Sequence, residues 1–227
     1  ALDAQPNHPR NLVSAASIEL EVGDFASGND FLNAINPTDI QLGTLLRTLY
    51  ALSKSMRMPG YEPPFSIDLD GLELRLAPLI ETGSPLERIV AHRGLAYLAV
   101  KNSDRNLAKK QFDALMELAS PGYFSSSASA SPTHPGRALG LLASLLGEHS
   151  TSEDHYRTAL ADCRAAEFRP ELAWTCSDYA ETLIERNNPA DAEKITELQD
   201  EAIEITTELG MKPLLQRVLA QRDILKA

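Results

Sequence analysis

Along most of the chain apolar residues return every three or four positions and never alternate with polar ones for long, which is the period of amphipathic helices and not of strands. The stretch LGLLASLLGEHSTSEDHYRTAL, Leu139–Leu160, adds a finer regularity. Counting from Gly140, Ala143 lies three on, Gly147 seven, Ser152 twelve, Tyr156 sixteen and Ala159 nineteen. From Ala96 the same offsets reach Ala99, Ser103, Ala108, Phe112 and Leu115. From Ala16 they reach Glu19, Gly23, Gly28, Leu32 and Ile35. Ala180 gives Leu183 and Asn187, after which three extra residues delay the closing alanine to Ala202. One further unit starts near Asp39, breaks at MPGYEPPFS and resumes to Glu81.

Each unit predicts two helices joined by a tight turn. Small residues at Gly140, Ala96 and Ala180 let the first helix approach the second closely, and Tyr156 or Phe112 fills the groove that remains. Gly147, Ser103, Gly23 and Asn187 fall at the turn, where a helix C-cap adopts the left-handed conformation. One hairpin cannot cover its own apolar face, whereas stacked hairpins bury a continuous core. The expected fold is therefore all-α, with units at about 9–38, 39–83, 84–120, 133–169 and 170–210. The last helix, 212–226, is expected to close the array with Leu214, Leu215, Val218, Leu219 and Leu225 on one side. Residues 120–136 are rich in serine and proline and predict a flexible loop.

Composition narrows the function classes. A 43% apolar content fits a globular chain, and a net charge of −11 argues against a nucleic-acid surface, which needs clustered Lys and Arg. The charge is uneven: residues 171–211 carry −9 and residues 212–227 carry +3. Two cysteines, Cys163 and Cys176, make no disulfide framework and match no metal spacing, so a reducing, cytoplasmic setting is expected. No stretch reads as a signal peptide or membrane span.

No residue set predicts catalysis, a cofactor or a metal. GEHSTSED lacks the lysine of a phosphate-binding loop and reads as a helix start, with Ser150 or Thr151 as cap. SIDLDGLE lacks the acids a calcium loop needs at Ser66 and Ala77, and also reads as a helix cap. The five histidines, His8, His92, His134, His149 and His155, show no metalloprotease spacing.

The units resemble the tetratricopeptide repeat family, on Leu139–Gly140, Gly147, Tyr156 and Ala159 in one unit and Leu95–Ala96, Ala108, Phe112 and Leu115 in another. No unit has that family's early tryptophan, and the spacing between units is irregular. The resemblance implies a right-handed superhelix of about five hairpins with a C-terminal capping helix. Its concave side would be lined by first-helix positions, which by register are Arg93 and Tyr97, Arg137 and Leu141, then Trp174, Ser177 and Glu181, with Arg47 as a weaker member. The opening ALDAQPNHPRNL looks like the end of one unit and the start of the next, so the chain is expected to be a piece of a longer protein. The stretch from Arg169 onward is similar to the repeat region of large bacterial regulators that join an ATPase or a nucleotide cyclase to helical repeats and, in many, a LuxR-type DNA-binding domain. That resemblance implies a non-catalytic module that binds a protein, a peptide or neighbouring domains. A metabolite-sensing module and a self-association module are the alternatives.

Overall fold

The computed structural model describes residues 8–35, 58–63, 71–118 and 134–226. Arg47, most of the expected unit at 39–83, Asp68 and Asp70, and residues 120–133 of the expected loop lie outside them. Among the described residues there are ten α-helices, one 3-10 turn and no strand. The protein is all-α. It divides into two compact units, Ala1–Pro132 and Thr133–Ala227, where the repeat pattern alone predicts one array. The division falls within the serine- and proline-rich stretch, which offers little apolar surface to bury.

In the first unit, α1 (Pro9–Val22) and α2 (Phe25–Asn33) form a hairpin. Asp24 caps α2 by accepting from the Ser27 N–H at 3.0 Å and the Ser27 hydroxyl at 2.8 Å. Ala16, Leu20, Leu32 and Ile35 are fully buried between the helices. Gly28 is there because a Cβ would stand 2.5 Å from Leu20 Cδ2. Tyr61 lies edge-on to Phe25, with ring centroids 5.4 Å apart, and donates its hydroxyl to Asn29 at 3.1 Å. Further on, α3 (Leu72–Thr82) packs on α4 (Pro85–Lys101), and α4 packs on α5 (Arg105–Leu118). A capping box between Ser84 and Glu87 starts α4. Of the positions picked out by the repeating offsets, Ala96, Ala99, Ala108, Phe112 and Leu115 are buried, and Ser103, at the turn, is exposed.

The second unit runs α6 (Pro135–Leu146), α7 (His149–Ala165), α8 (Arg169–Arg186), a 3-10 turn (Pro189–Asp191), α9 (Ala192–Leu209) and α10 (Lys212–Lys226). Helices α6 and α7 form one hairpin and α8 and α9 another; α8 also packs on α6 and α7, and α10 on α8 and α9. The Tyr156 ring lies directly on Gly140, where an added Cβ would stand 2.8 Å from Cε2. The same ring stacks on Tyr179 at 4.8 Å and 10°, and its hydroxyl meets Thr182 Oγ1 at 3.1 Å. A fully buried aromatic pair with its polar tips satisfied is worth its large apolar area plus about 0.5–1.5 kcal/mol of stacking.

Two expectations need correction. Helix α7 starts at His149, with Glu148 at the N-cap making no side-chain bond, so neither Ser150 nor Thr151 is a cap. Ser152 donates instead to the Gly140 carbonyl at 2.8 Å, which explains a small polar residue twelve on from Gly140. On α10, Leu214 and Val218 are buried but Leu219 is 43% exposed, so the leucines do not share one covered side.

The turn positions all have positive φ: Gly23 at 88°, Ser103 at 53°, Gly147 at 83° and Asn187 at 52°. A tight reversal after a helix needs this left-handed step, which glycine and asparagine take at low cost. The three extra residues of the last hairpin are the 3-10 turn, and Arg186 braces it by binding Asp191 at 2.7 Å while also pairing with Glu153.

These ion pairs make stability depend on acid. Burial alone would raise the carboxyls of Glu153 and Glu201, but Arg186 and Arg157 beside the first and Arg164 beside the second outweigh it and hold both below their ordinary 4.5. A lowered folded-state pKa means the unfolded chain binds protons more readily, so this stabilisation is complete above about pH 4.5 and is lost as the pH falls through the folded values. Thermal unfolding is expected to show Tm falling below about pH 4.5, and the Glu153→Gln/Glu201→Gln variant to show a shallower fall. A wild-type Tm that stays flat from about pH 5 to about pH 3 contradicts this.

Candidate functional site

Helix α6 begins where Pro135 fixes the first turn and His134 stands at the N-cap. The ring of His134 accepts the Gly136 N–H at Nδ1, 3.0 Å away, so its proton sits on Nε2 and is donated to Asp162 Oδ2 at 3.0 Å. Gly136 is tightly held, since a Cβ there would lie 2.8 Å from the His155 carbonyl. Glu171, in the first turn of α8, accepts the His134 backbone N–H at 2.6 Å.

Arg137, in the first turn of α6, points into a charged cluster built on α8. Its Nε lies 2.9 Å from Glu171 and its Nη1 3.4 Å from Asp178, and all three side chains are buried. Arg217 of α10 reaches the same cluster, 3.1 Å from Asp178 and in contact with Glu181. Both guanidinium groups lie over the Trp174 ring, Arg137 at 5.7 Å and Arg217 at 5.6 Å from its centroid. Burial by itself would lower the pKa of Arg217, but Asp178 and Glu181 overcome it and raise that pKa further. The cluster thus holds two cations against three carboxylates around one indole, and joins α6, α8 and α10.

Three of the residues picked out by register meet here, Arg137, Trp174 and Glu181, and Ser177 lies on the same helix, α8. Arg137, Trp174 and Ser177 are buried, and the Ser177 hydroxyl makes no hydrogen bond among the described residues. Glu181 is at the rim, its side chain 41% exposed, and Leu141 is half-buried. Arg93 and Tyr97 lie on α4 of the first unit and are both buried. Sequence reasoning missed Arg217, Asp178 and Glu171. The signal for Arg217 is register: it precedes Ala220 by three, as Arg93 precedes Ala96 and Arg137 precedes Gly140.

The remaining chemistry is quiet. Cys163 and Cys176 are buried thiols on α7 and α8; burial, with Glu171 adding to it, pushes Cys163 up to about 12, and burial with Glu201 raises Cys176 well above its ordinary value. Neither is a thiolate near neutral pH, so neither is poised as a nucleophile. Among the described residues no three His, Cys, Asp or Glu side chains converge to hold a metal ion, and no helix is long and apolar enough to cross a membrane. Compared with known proteins, the chain matches no family model, no curated protein and no solved structure.

Proposed function

We propose that this chain is a non-catalytic helical-repeat module of a bacterial signalling or transcriptional regulator, which binds a protein or peptide through the face formed by its first helices. The reading includes a tetratricopeptide-like superhelix as the scaffold. The observation that carries it is the recurrence of one packing scheme in successive hairpins. A small residue on the first helix and a large one sixteen positions on are both buried in Ala16 and Leu32, Ala96 and Phe112, and Gly140 and Tyr156, and a left-handed residue makes each turn, at Gly23, Ser103 and Gly147. Repeated hairpins of this kind present side chains along a continuous surface, and their function lies in that surface.

The cluster around Trp174 gives the surface its specificity. Buried Arg137 and Trp174 set the positions of α6 and α8, while Leu141 and Glu181 at the rim are the groups a ligand can reach. A desolvated aromatic and arginine core with a polar rim is the usual anatomy of a recognition site.

The test uses Leu141→Ser and Glu181→Gln, the second of which keeps an oxygen to accept from Arg217. Each is expected to weaken the partner by about fivefold or more in a calorimetric titration, with the Tm of each variant measured alongside because Glu181 also contacts Arg217. A partner that binds the double variant as tightly as the wild type contradicts the assignment of this face.

A further inference from the structure

The charges around Trp174 do not balance. Arg137 and Arg217 face Glu171, Asp178 and Glu181, and Glu185 follows Glu181 by one turn of α8, so two cations stand against four carboxylates. Glu185 is exposed, and among the described residues no basic group lies within ion-pair distance of it. Like charges four residues apart on a helix repel. Burial first, and then Glu181, hold the Glu185 carboxyl above its ordinary 4.5, and Arg217 offsets only part of this.

Register shows what is missing. Helices α4, α6 and α10 carry Arg93, Arg137 and Arg217 three residues before Ala96, Gly140 and Ala220, whereas α8 carries Ser177 three before Ala180. Where the other three have a guanidinium, α8 has a short hydroxyl. Ser177, Glu181 and Glu185 are spaced four apart and so share one face of α8. Ser177 is 0% exposed, and its hydroxyl makes no hydrogen bond among the described residues. Arg217 Nη1 is likewise buried without an acceptor. Buried polar groups left unsatisfied are costly, and a ligand that supplies their partners gains what they lack.

We propose that the Glu181–Glu185 rim of α8 receives a lysine or arginine side chain from a peptide segment of the protein partner. The incoming cation supplies the charge that α8 lacks at Ser177. A peptide suits the cluster better than a bare amine, because its main-chain carbonyls can accept from Ser177 Oγ and Arg217 Nη1. The inference rests on the reading of the chain as a peptide-binding module and adds the charge of what it binds.

The probes are short fluorescein-labelled peptides of alternating serine and one variable residue, with a central leucine to meet Leu141; the variable residue is lysine, glutamine or glutamate. Anisotropy with the full chain is expected to give a Kd below about 1 mM for the lysine peptide and at least about tenfold weaker binding for the glutamine peptide. Glu185→Gln removes the carboxylate that nothing in the chain pairs, and is expected to weaken the lysine peptide at least about fivefold with the wild-type Tm retained. Glu185→Lys places the cation in the chain itself and should abolish binding; it is the second variant. Glu193→Gln/Glu204→Gln removes two exposed acids of α9 and should leave the titration unchanged, which separates the rim from the general pull of a chain of net charge −11. Failure of the lysine peptide to saturate, equal binding by wild type and Glu185→Gln, or an equal loss in the α9 variant overturns the proposal. So does tighter binding of the glutamine or glutamate peptide. If Leu141→Ser then weakens that peptide, the face stands as a recognition surface and only the charge of its partner is overturned.

Discussion

Replacing Arg137 with alanine is expected to destabilise the second unit by on the order of 3–5 kcal/mol, because it leaves buried carboxylates without their cation. Glu171 and Asp178 are almost inaccessible to water, and Arg137 lies within ion-pair distance of both. Arg217 still pairs with Asp178, so Glu171 is the carboxylate most exposed to the loss. Its carboxylate also accepts the His134 backbone N–H. The double variant Arg137→Ala/Glu171→Gln should therefore recover part of the stability, since the amide carries no charge to desolvate. Urea unfolding followed by circular dichroism measures both. A loss below about 1 kcal/mol for the single variant would place the pair in the class of solvent-screened surface contacts and contradict the burial argument.

Tyr156→Ala is expected to cost about 3–5 kcal/mol, the range for emptying a buried aromatic site. The ring is fully buried, covers Gly140, stacks on Tyr179 and bonds Thr182. It therefore connects one hairpin to the next as well as closing its own. Tyr156→Phe isolates the hydroxyl and should cost only about 0.5–1.5 kcal/mol, with Thr182 left to find another partner. If the two variants unfold alike, the hydroxyl and not the ring carries the site.

How much of this was legible in the sequence follows from the range of each interaction. The Gly140 to Tyr156 contact and the four left-handed turns depend on residues within one hairpin, and fixed offsets expose them. The charged cluster does not. Arg137 finds Glu171 and Asp178 thirty-four and forty-one residues later, on a helix of the next hairpin. No periodicity announces such pairs. Register placed Arg137, Trp174, Ser177 and Glu181 on a common face, and packing then buried three of them. Arg217 was hidden because the last helix read as a basic end piece, and its charge drew attention away from its position relative to Ala220. The cap expected at Ser150 failed for a similar reason: Ser152 has a better use across the hairpin, as donor to the Gly140 carbonyl.

The two native thiols have a practical consequence. Maleimide and related reagents attack the thiolate, and Cys163 and Cys176 are both sealed inside the second unit and held in the protonated form. A single cysteine engineered onto an exposed helix face can thus take a fluorophore or spin label selectively in the folded protein, with the native pair left in place as a reporter of unfolding.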